Sequence, residues 1–232
     1  MSPPSPQIGR GASCPARPVR LFAGHDGGMV ATHSSPQFES KSARLEHPHV
    51  ATLNAMVRRW RERPGSPVVP WFDPDDAGTA AKVLILMESP APATAEMGAA
   101  AFCSLDNADR SNRTMRLVMT EVGLARSACV KWNVVPWVLP TRAPTVADID
   151  AARPMLIAVL AQLPALEIVV TVGRPALHGL TRALWAGELP GLYRLVSTPH
   201  PSQRTALAAI AAADRLRATL TRVTEHIATT EG

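Results

Sequence analysis

The chain has 232 residues, 46% of them hydrophobic, which is enough for one ordinary core and leaves length for one domain plus a tail. Its formal net charge of +5 favours an anionic partner, with nucleic acid as the first candidate. Apolar runs stay shorter than the roughly 20 residues that span a bilayer, and the polar start lacks the apolar centre of a signal peptide. We therefore expect a cytoplasmic monomer that makes no membrane contact.

Cysteine and histidine spacing gives no support for a metal site. The three cysteines, Cys14, Cys103 and Cys129, are far apart, and no Cys-x-x-Cys or Cys/His ligand spacing occurs. The histidines of the first fifty residues lack an accompanying cysteine or carboxylate pair, so solvated side chains explain them better. We predict neither a disulfide framework nor a metal or organic cofactor.

The first part of the chain divides into a tail and a helix. Residues 1–44 are rich in Pro, Ser and Gly without a periodic apolar pattern, so we predict a disordered tail and a folded domain over 45–232. Apolar residues then recur at helical spacing over 47–63, and arginines crowd the end of this predicted helix. Those arginines either complement the helix dipole or contact a phosphate backbone. The proline-rich stretch 64–79 is predicted to be a loop.

Strands and helices alternate regularly through the rest of the chain. The predicted strands are at about 82–88, 128–135, 166–172 and 193–197, and the predicted helices are at about 111–122, 147–162, 174–186 and 203–227. Short β-branched and leucine-rich runs separated by helices are typical of a parallel sheet covered on both faces. The fold class is therefore α/β, a three-layer α/β/α sandwich around a mainly parallel four-stranded sheet.

Three predicted strands end in polar side chains. Glu88 follows the first strand, Asn133 ends the second, and His200 follows the last. In open parallel sheets the binding crevice lies beyond the carboxyl ends of the strands. We therefore expect the carboxylate, the amide and the imidazole to meet in one pocket.

The three segments resemble the motifs of the uracil-DNA glycosylase superfamily. Met87-Glu88-Ser89-Pro90-Ala91 is similar to the first motif, which reads Gly-Glu-Ala-Pro-Gly in the branch with the best match. Asn133-Val134-Val135 is similar to the segment with the base-reading asparagine, and His200-Pro201-Ser202 matches the His-Pro-Ser loop. The resemblance spans roughly residues 50–225. The cysteines that hold an iron–sulfur cluster in that branch are missing, so the resemblance is to a cluster-free relative.

The resemblance assigns roles that suit the chemistry of each residue type. Glu88 would orient or deprotonate the attacking water, and His200 would donate a hydrogen bond to the base as it gains negative charge. The Asn133 amide, both donor and acceptor, matches the edge of uracil and mismatches cytosine. Phe102 would stack on the extruded base, and Ser89 and Ser202 belong to the substrate-binding motifs.

Two further residues follow the last motif. By the resemblance, Gln203 and Arg204 lie where the family inserts a wedge and holds the distorted DNA strand, while Ser202 would contact a phosphate or cap the last helix. Extrusion of the nucleotide is needed because the target atom is inaccessible inside a duplex.

The chain also departs from the family pattern, and these departures leave alternatives open. Met87 and Ala91 replace the glycines of the first motif, and Thr94 and Ala95 replace an acidic pair, so the exclusion of thymine is unexplained. If Glu88 does not position the water, Asp106 or Asp109 is the nearest alternative carboxylate.

The sequence thus predicts a monofunctional DNA-repair glycosylase that hydrolytically excises uracil from single- or double-stranded DNA and leaves an abasic site. One alternative is a glycosylase for another deaminated base, hypoxanthine or xanthine. A second is a catalytically silent member that binds DNA, and a small-molecule hydrolase is disfavoured because no Gly-x-Ser-x-Gly motif occurs.

Overall fold

The computed structural model of the chain describes residues 36–63, 65, 67–139, 143–203 and 205–230. The α-helices are α1 (Pro36–Ser42), α2 (Pro48–Arg61), α3 (Pro92–Glu96), α4 (Arg110–Val122), α5 (Val146–Leu160), α6 (Arg174–Trp185) and α7 (Ala206–Thr230). The strands are β1 (Trp71–Phe72), β2 (Val83–Met87), β3 (Phe102–Cys103), β4 (Cys129–Asn133), β5 (Ile168–Val172) and β6 (Arg194–Thr198). Within these ranges, no helix combines the length and the apolar character needed to cross a membrane.

The central sheet has four parallel strands in the order β4-β2-β5-β6, which confirms the predicted fold class. Every residue of β2, β4 and β5 is buried, as expected for a sheet covered on both faces. The pairing aligns the strand ends, because Met87 lies opposite Asn133 and Val172 lies opposite Thr198. The segments that follow these strands therefore leave the sheet at the same edge.

Helices cover both faces of the sheet, so the predicted three-layer sandwich is also confirmed. On one face, α2, α5 and α6 pack against alternate strand residues that include Leu84 and Trp132. On the other face, α4 and α7 pack against the intervening residues, among them Ile85 and Val170. The two cores are separated by the sheet, as the alternation of side chains along a strand requires.

A second, two-stranded parallel sheet was not predicted from the sequence. It pairs β1 with β3, with Trp71 opposite Phe102. Two residues are too few to show a strand period, which is why the pattern of the sequence does not reveal them. The Phe72 ring stacks on the ring of Trp132 at 4.0 Å between centroids, so this small sheet is anchored to the central one. It fixes β3 beside the end of β4.

The folded unit begins before the predicted boundary. Pro36–Ser42 forms α1, although the sequence analysis assigned residues up to 44 to a disordered tail. The side chain of Lys41 is fully buried, with Nζ 2.6 Å from Asp73 Oδ2 and 2.7 Å from Asp106 Oδ2. The prediction of disorder is therefore wrong for residues 36–44. The amino-acid composition of a segment does not show that a single lysine in it pairs with carboxylates far away in the chain. Residues 1–35 of the predicted tail lie outside the described residues.

Lys41 belongs to a buried ion cluster that also contains an arginine. Arg126 Nε donates to Asp76 Oδ1 at 2.6 Å, and its Nη1 donates to Asp106 Oδ2 at 2.8 Å. Burial would raise the pKa of Asp106, but hydrogen bonds from Lys41 and Arg126 outweigh it and lower that pKa to about 2. The cluster, consisting of Lys41, Asp73, Asp75, Asp76, Asp106 and Arg126, is called the ion cage below. It joins α1 to the loops that follow β1 and β3.

We predict that Lys41→Met destabilises the domain, because it leaves the carboxylates of the ion cage with only part of their compensating charge. Removal of one partner from a buried ion pair costs about 3–5 kcal/mol, and we expect about 3 because Arg126 remains. Urea denaturation measures the change in the free energy of unfolding. Ser40→Ala, an exposed change on the same helix, is the control and should stay within about 0.5 kcal/mol. Equal stability of the two variants would contradict the structural role of the ion cage.

Candidate active site

A cavity of about 400 Å³ opens at the carboxyl ends of the central strands. Six of the residues predicted for the site line it: Glu88, Ser89, Phe102, Asn133, His200 and Ser202. Gln203 is not part of the lining, and its Nε2 donates to the backbone oxygen of His200 at 2.5 Å. Arg204 lies outside the described residues. The acid, the amide and the imidazole thus share one cavity.

Glu88 leaves the sheet directly after β2, and its backbone is held by the segment that follows β4. Its backbone oxygen accepts a hydrogen bond from Val135 N at 3.0 Å. Burial raises the pKa of the Glu88 carboxyl above its ordinary value of 4.5. Within the described part of the chain, the carboxylate makes no hydrogen bond or ion pair of its own. It is therefore available to a water molecule in the cavity.

Gly173 allows the Glu88 carboxylate to occupy its place. This glycine precedes α6 with φ of +92°, and its N–H donates to Thr198 O at 2.9 Å. A Cβ atom at this position would lie 2.1 Å from Glu88 Oε1. The backbone conformation and the contact each require glycine here. The sequence alone gives no reason for this glycine, because Gly173 and Glu88 are far apart in the chain.

The His-Pro-Ser loop sets the protonation of His200. The backbone N–H of Ser202 donates to His200 Nδ1 at 3.3 Å, so Nδ1 is an acceptor and the neutral ring carries its proton on Nε2. Burial is the main cause that lowers the pKa of His200 below 6.5; Asp109 opposes this shift and Lys131 adds to it. The imidazole is therefore a neutral donor at neutral pH.

Ser202 is not the cap of the last helix. Helix α7 begins at Ala206, and the Thr205 hydroxyl accepts the N–H of Ala208 at 3.2 Å. The capping function considered for Ser202 thus belongs to Thr205. Ser202 itself is exposed at the edge of the cavity.

Asn133 and Phe102 are held by the contact between β3 and β4. The Asn133 amide Nδ2 donates to Cys103 Sγ at 3.4 Å, and burial raises the pKa of the Cys103 thiol to about 12, so the thiol stays neutral. The Phe102 ring packs against the ring of Phe38 at 6.2 Å between centroids. Helix α1, which the sequence analysis assigned to the tail, therefore supports an aromatic wall of the cavity.

The two alternative carboxylates are in different environments. Asp106 belongs to the ion cage and does not line the cavity, so it cannot position a water there. Asp109 lines the cavity, but it caps α4, where its Oδ1 accepts the N–H of Asn112 at 3.0 Å and its Oδ2 accepts the Asn112 amide. Of the three carboxylates considered, Glu88 is the one without such a partner in the described structure.

Sequence reasoning missed other polar residues of the cavity. Lys131 lines it from within β4, and a lysine inside an otherwise apolar strand was the signal that could have found it. Asn112 also lines it, and its buried Oδ1 has no hydrogen-bond partner among the described residues. These residues add a cation and an acceptor to the predicted set.

Comparison with known proteins identifies the family. The family model of the Uracil DNA glycosylase superfamily matches residues 74–221, well over half of the chain. The chain belongs to the uracil DNA glycosylase superfamily, and its function is accordingly of the DNA glycosylase type, with DNA as substrate. A search of curated proteins finds no match. The matched range contains Glu88, Asn133 and His200 but not α1.

We predict that Gly173→Ala lowers glycosylase turnover about 100-fold, because the new Cβ would displace the Glu88 carboxylate. Misplacement of a catalytic group by about 1 Å lowers the rate by about that factor. Gly187→Ala is the control: its φ of +70° is also positive, but no atom lies within 4 Å of the place that its new Cβ would take. Thermal unfolding checks that both variants are folded at the temperature of the assay. Equal loss of turnover in the two would remove Gly173 from the positioning of Glu88.

Proposed function

We propose that the protein hydrolytically excises uracil from DNA and leaves an abasic site. The observation that carries this proposal is the convergence of an unpaired carboxylate, an amide and a neutral imidazole donor on one cavity. Family membership supports the glycosylase class. The choice of uracil rests on the chemistry of the groups that face the base.

Breaking the N-glycosidic bond places positive charge on the sugar and negative charge on the departing base. The electron pair of the bond goes to the base, and water supplies the hydroxyl group at the sugar. Glu88 orients this water, accepts its proton and offers a negative charge to the sugar. His200 donates through Nε2–H to a carbonyl oxygen of the base, where a preorganised donor stabilises the transition state more than the ground state.

Selection of uracil is assigned to Asn133. Its amide donates and accepts at once, which suits the carbonyl oxygen and N–H of uracil and opposes the amine of cytosine. The hydrogen bond to Cys103 limits rotation of the amide, so its polarity is fixed before the base arrives. Phe102 borders the cavity but has no exposed surface, so stacking on the base would require the ring to shift when the base enters.

The loop after His200 is proposed to hold the DNA strand while the nucleotide is extruded. Ser202 is exposed at the edge of the cavity and can meet a phosphate. Gln203 would have to exchange its bond to the His200 backbone for one to DNA. Arg204 would add a positive charge, in line with the net charge of +5.

Incubation with a uracil-containing oligonucleotide, followed by alkaline cleavage, tests the proposal. We expect cleavage at uracil, and Glu88→Gln and His200→Ala should each lower turnover at least about 100-fold with little change in DNA affinity. Glu62→Gln, an exposed change of the same type, is the control. Parallel oligonucleotides with hypoxanthine or xanthine distinguish the alternative substrates. DNA binding without an abasic product from any of them would indicate a catalytically silent protein.

The pKa directions predict how turnover depends on pH. Catalysis needs Glu88 ionised, and its pKa lies above 4.5; it also needs His200 neutral, and its pKa lies below 6.5. Both conditions are lost as the pH falls, because Glu88 is protonated below its raised pKa and His200 is protonated below its lowered pKa. We expect single-turnover rates that are level near pH 7 and decline on the acid side. A decline that persists unchanged in Glu88→Gln would exclude Glu88 from the titration.

A further inference from the structure

Lys131 is a buried cation in the cavity, beside the residues of the proposed mechanism. It lies in the middle of β4, where Val130 and Trp132 pack into the core on one face of the sheet. Strand alternation places Lys131 on the opposite face, the same one as Asn133. Its exposed fraction is 5%, and it lines the cavity together with Asn133 and His200.

The hydrogen bonding of Lys131 is incomplete. Its Nζ donates to the backbone oxygen of Ser104 at 3.0 Å, and among the described residues this is its one hydrogen bond. An ammonium group has three N–H donors, and a buried charge without a countercharge costs several kcal/mol. Lys41, the other fully or nearly buried lysine described above, differs from Lys131 because its ammonium group is paired with carboxylates of the ion cage. Lys131 therefore has donors to offer to a ligand in the cavity.

The position of Lys131 relative to Asn133 indicates which ligand atoms it can meet. Two residues along a strand correspond to about 6.6 Å, so Lys131 lies one side-chain row deeper in the cavity than the amide. His200 lines the same cavity from the loop that follows β6. A pyrimidine bound among these side chains can present one carbonyl oxygen to His200 and the other to Lys131. The Lys131 charge also reaches His200, whose pKa it helps to lower.

We propose that Lys131 is a second electrophilic catalytic residue, which binds a carbonyl oxygen of the extruded base and stabilises the negative charge of the departing base. This inference rests on the proposed glycosylase function and deepens it. When the N-glycosidic bond breaks, its electron pair spreads from the ring nitrogen to the carbonyl oxygens, and the fixed ammonium opposes that charge. Because an ammonium only donates, it favours bases with a carbonyl group at this position and opposes an amine.

Lys131→Met tests the proposal with two leaving groups. The variant keeps a side chain of similar length without the charge, and uracil and 5-fluorouracil are placed at the same position of one oligonucleotide. Fluorine withdraws electrons, so 5-fluorouracil departs more easily and depends less on the cation. We expect the single-turnover rate to fall about 100-fold for uracil and clearly less, about 10-fold, for 5-fluorouracil. Circular dichroism checks the fold, and Lys131→Gln serves as a second variant if Lys131→Met does not fold.

The outcomes separate this inference from the proposed function. Equal losses on both bases, or no loss, would show that Lys131 acts structurally and would overturn the inference while the proposed function stands. Absence of cleavage of uracil by the unaltered protein would overturn the proposed function, and the inference with it. Lys82→Met is the control, because Lys82 lies outside the cavity lining and should leave both rates unchanged.

Discussion

The parallel pairing of β2 with β4 is the constraint on which the candidate active site depends. With Met87 opposite Asn133, the residue that follows β2 is Glu88, and Val135 N binds the Glu88 backbone oxygen as the two chains leave the sheet. A shift of this pairing by one residue would move the side chains of one strand to the other face. It would separate the carboxylate from the amide. The register that buries the core therefore also sets the distance between these two groups.

Buried charges in this domain fall into two groups that differ in their compensation. In the ion cage, Lys41 and Arg126 are paired with carboxylates, and these ion pairs join loops from distant parts of the chain. In the cavity, Glu88 and Lys131 have no ion-pair partner among the described residues. Ser104 connects the ion cage to the cavity. Its hydroxyl accepts a hydrogen bond from Lys41 Nζ, and its backbone oxygen accepts one from Lys131 Nζ. A stable cage thus supports a site whose charges are left available to a ligand.

Sequence reasoning succeeded where the signal was repetitive or local. The apolar runs of the four central strands and the intervening helices were long enough to show a period, and Glu88, Asn133 and His200 lay next to them. It failed where one residue or a very short element depends on a distant contact. Lys41 holds α1 through remote aspartates, and β3 has only two residues. No local pattern encodes such contacts, since they arise only when the chain is folded.

Met87 stands where the first motif of the family has a glycine, and this difference can be explained together with the presence of Lys131 in the cavity. Met87 lies opposite Asn133 in the sheet, is 5% exposed and lines the cavity. Where a glycine would leave space, the methionine brings apolar volume next to the amide. Reduced access of water strengthens electrostatic interactions, because the local dielectric constant falls. A cation at the floor of such a cavity acts more strongly on a departing anion than it would in an open one, so the altered motif and the unusual lysine are compatible parts of one site.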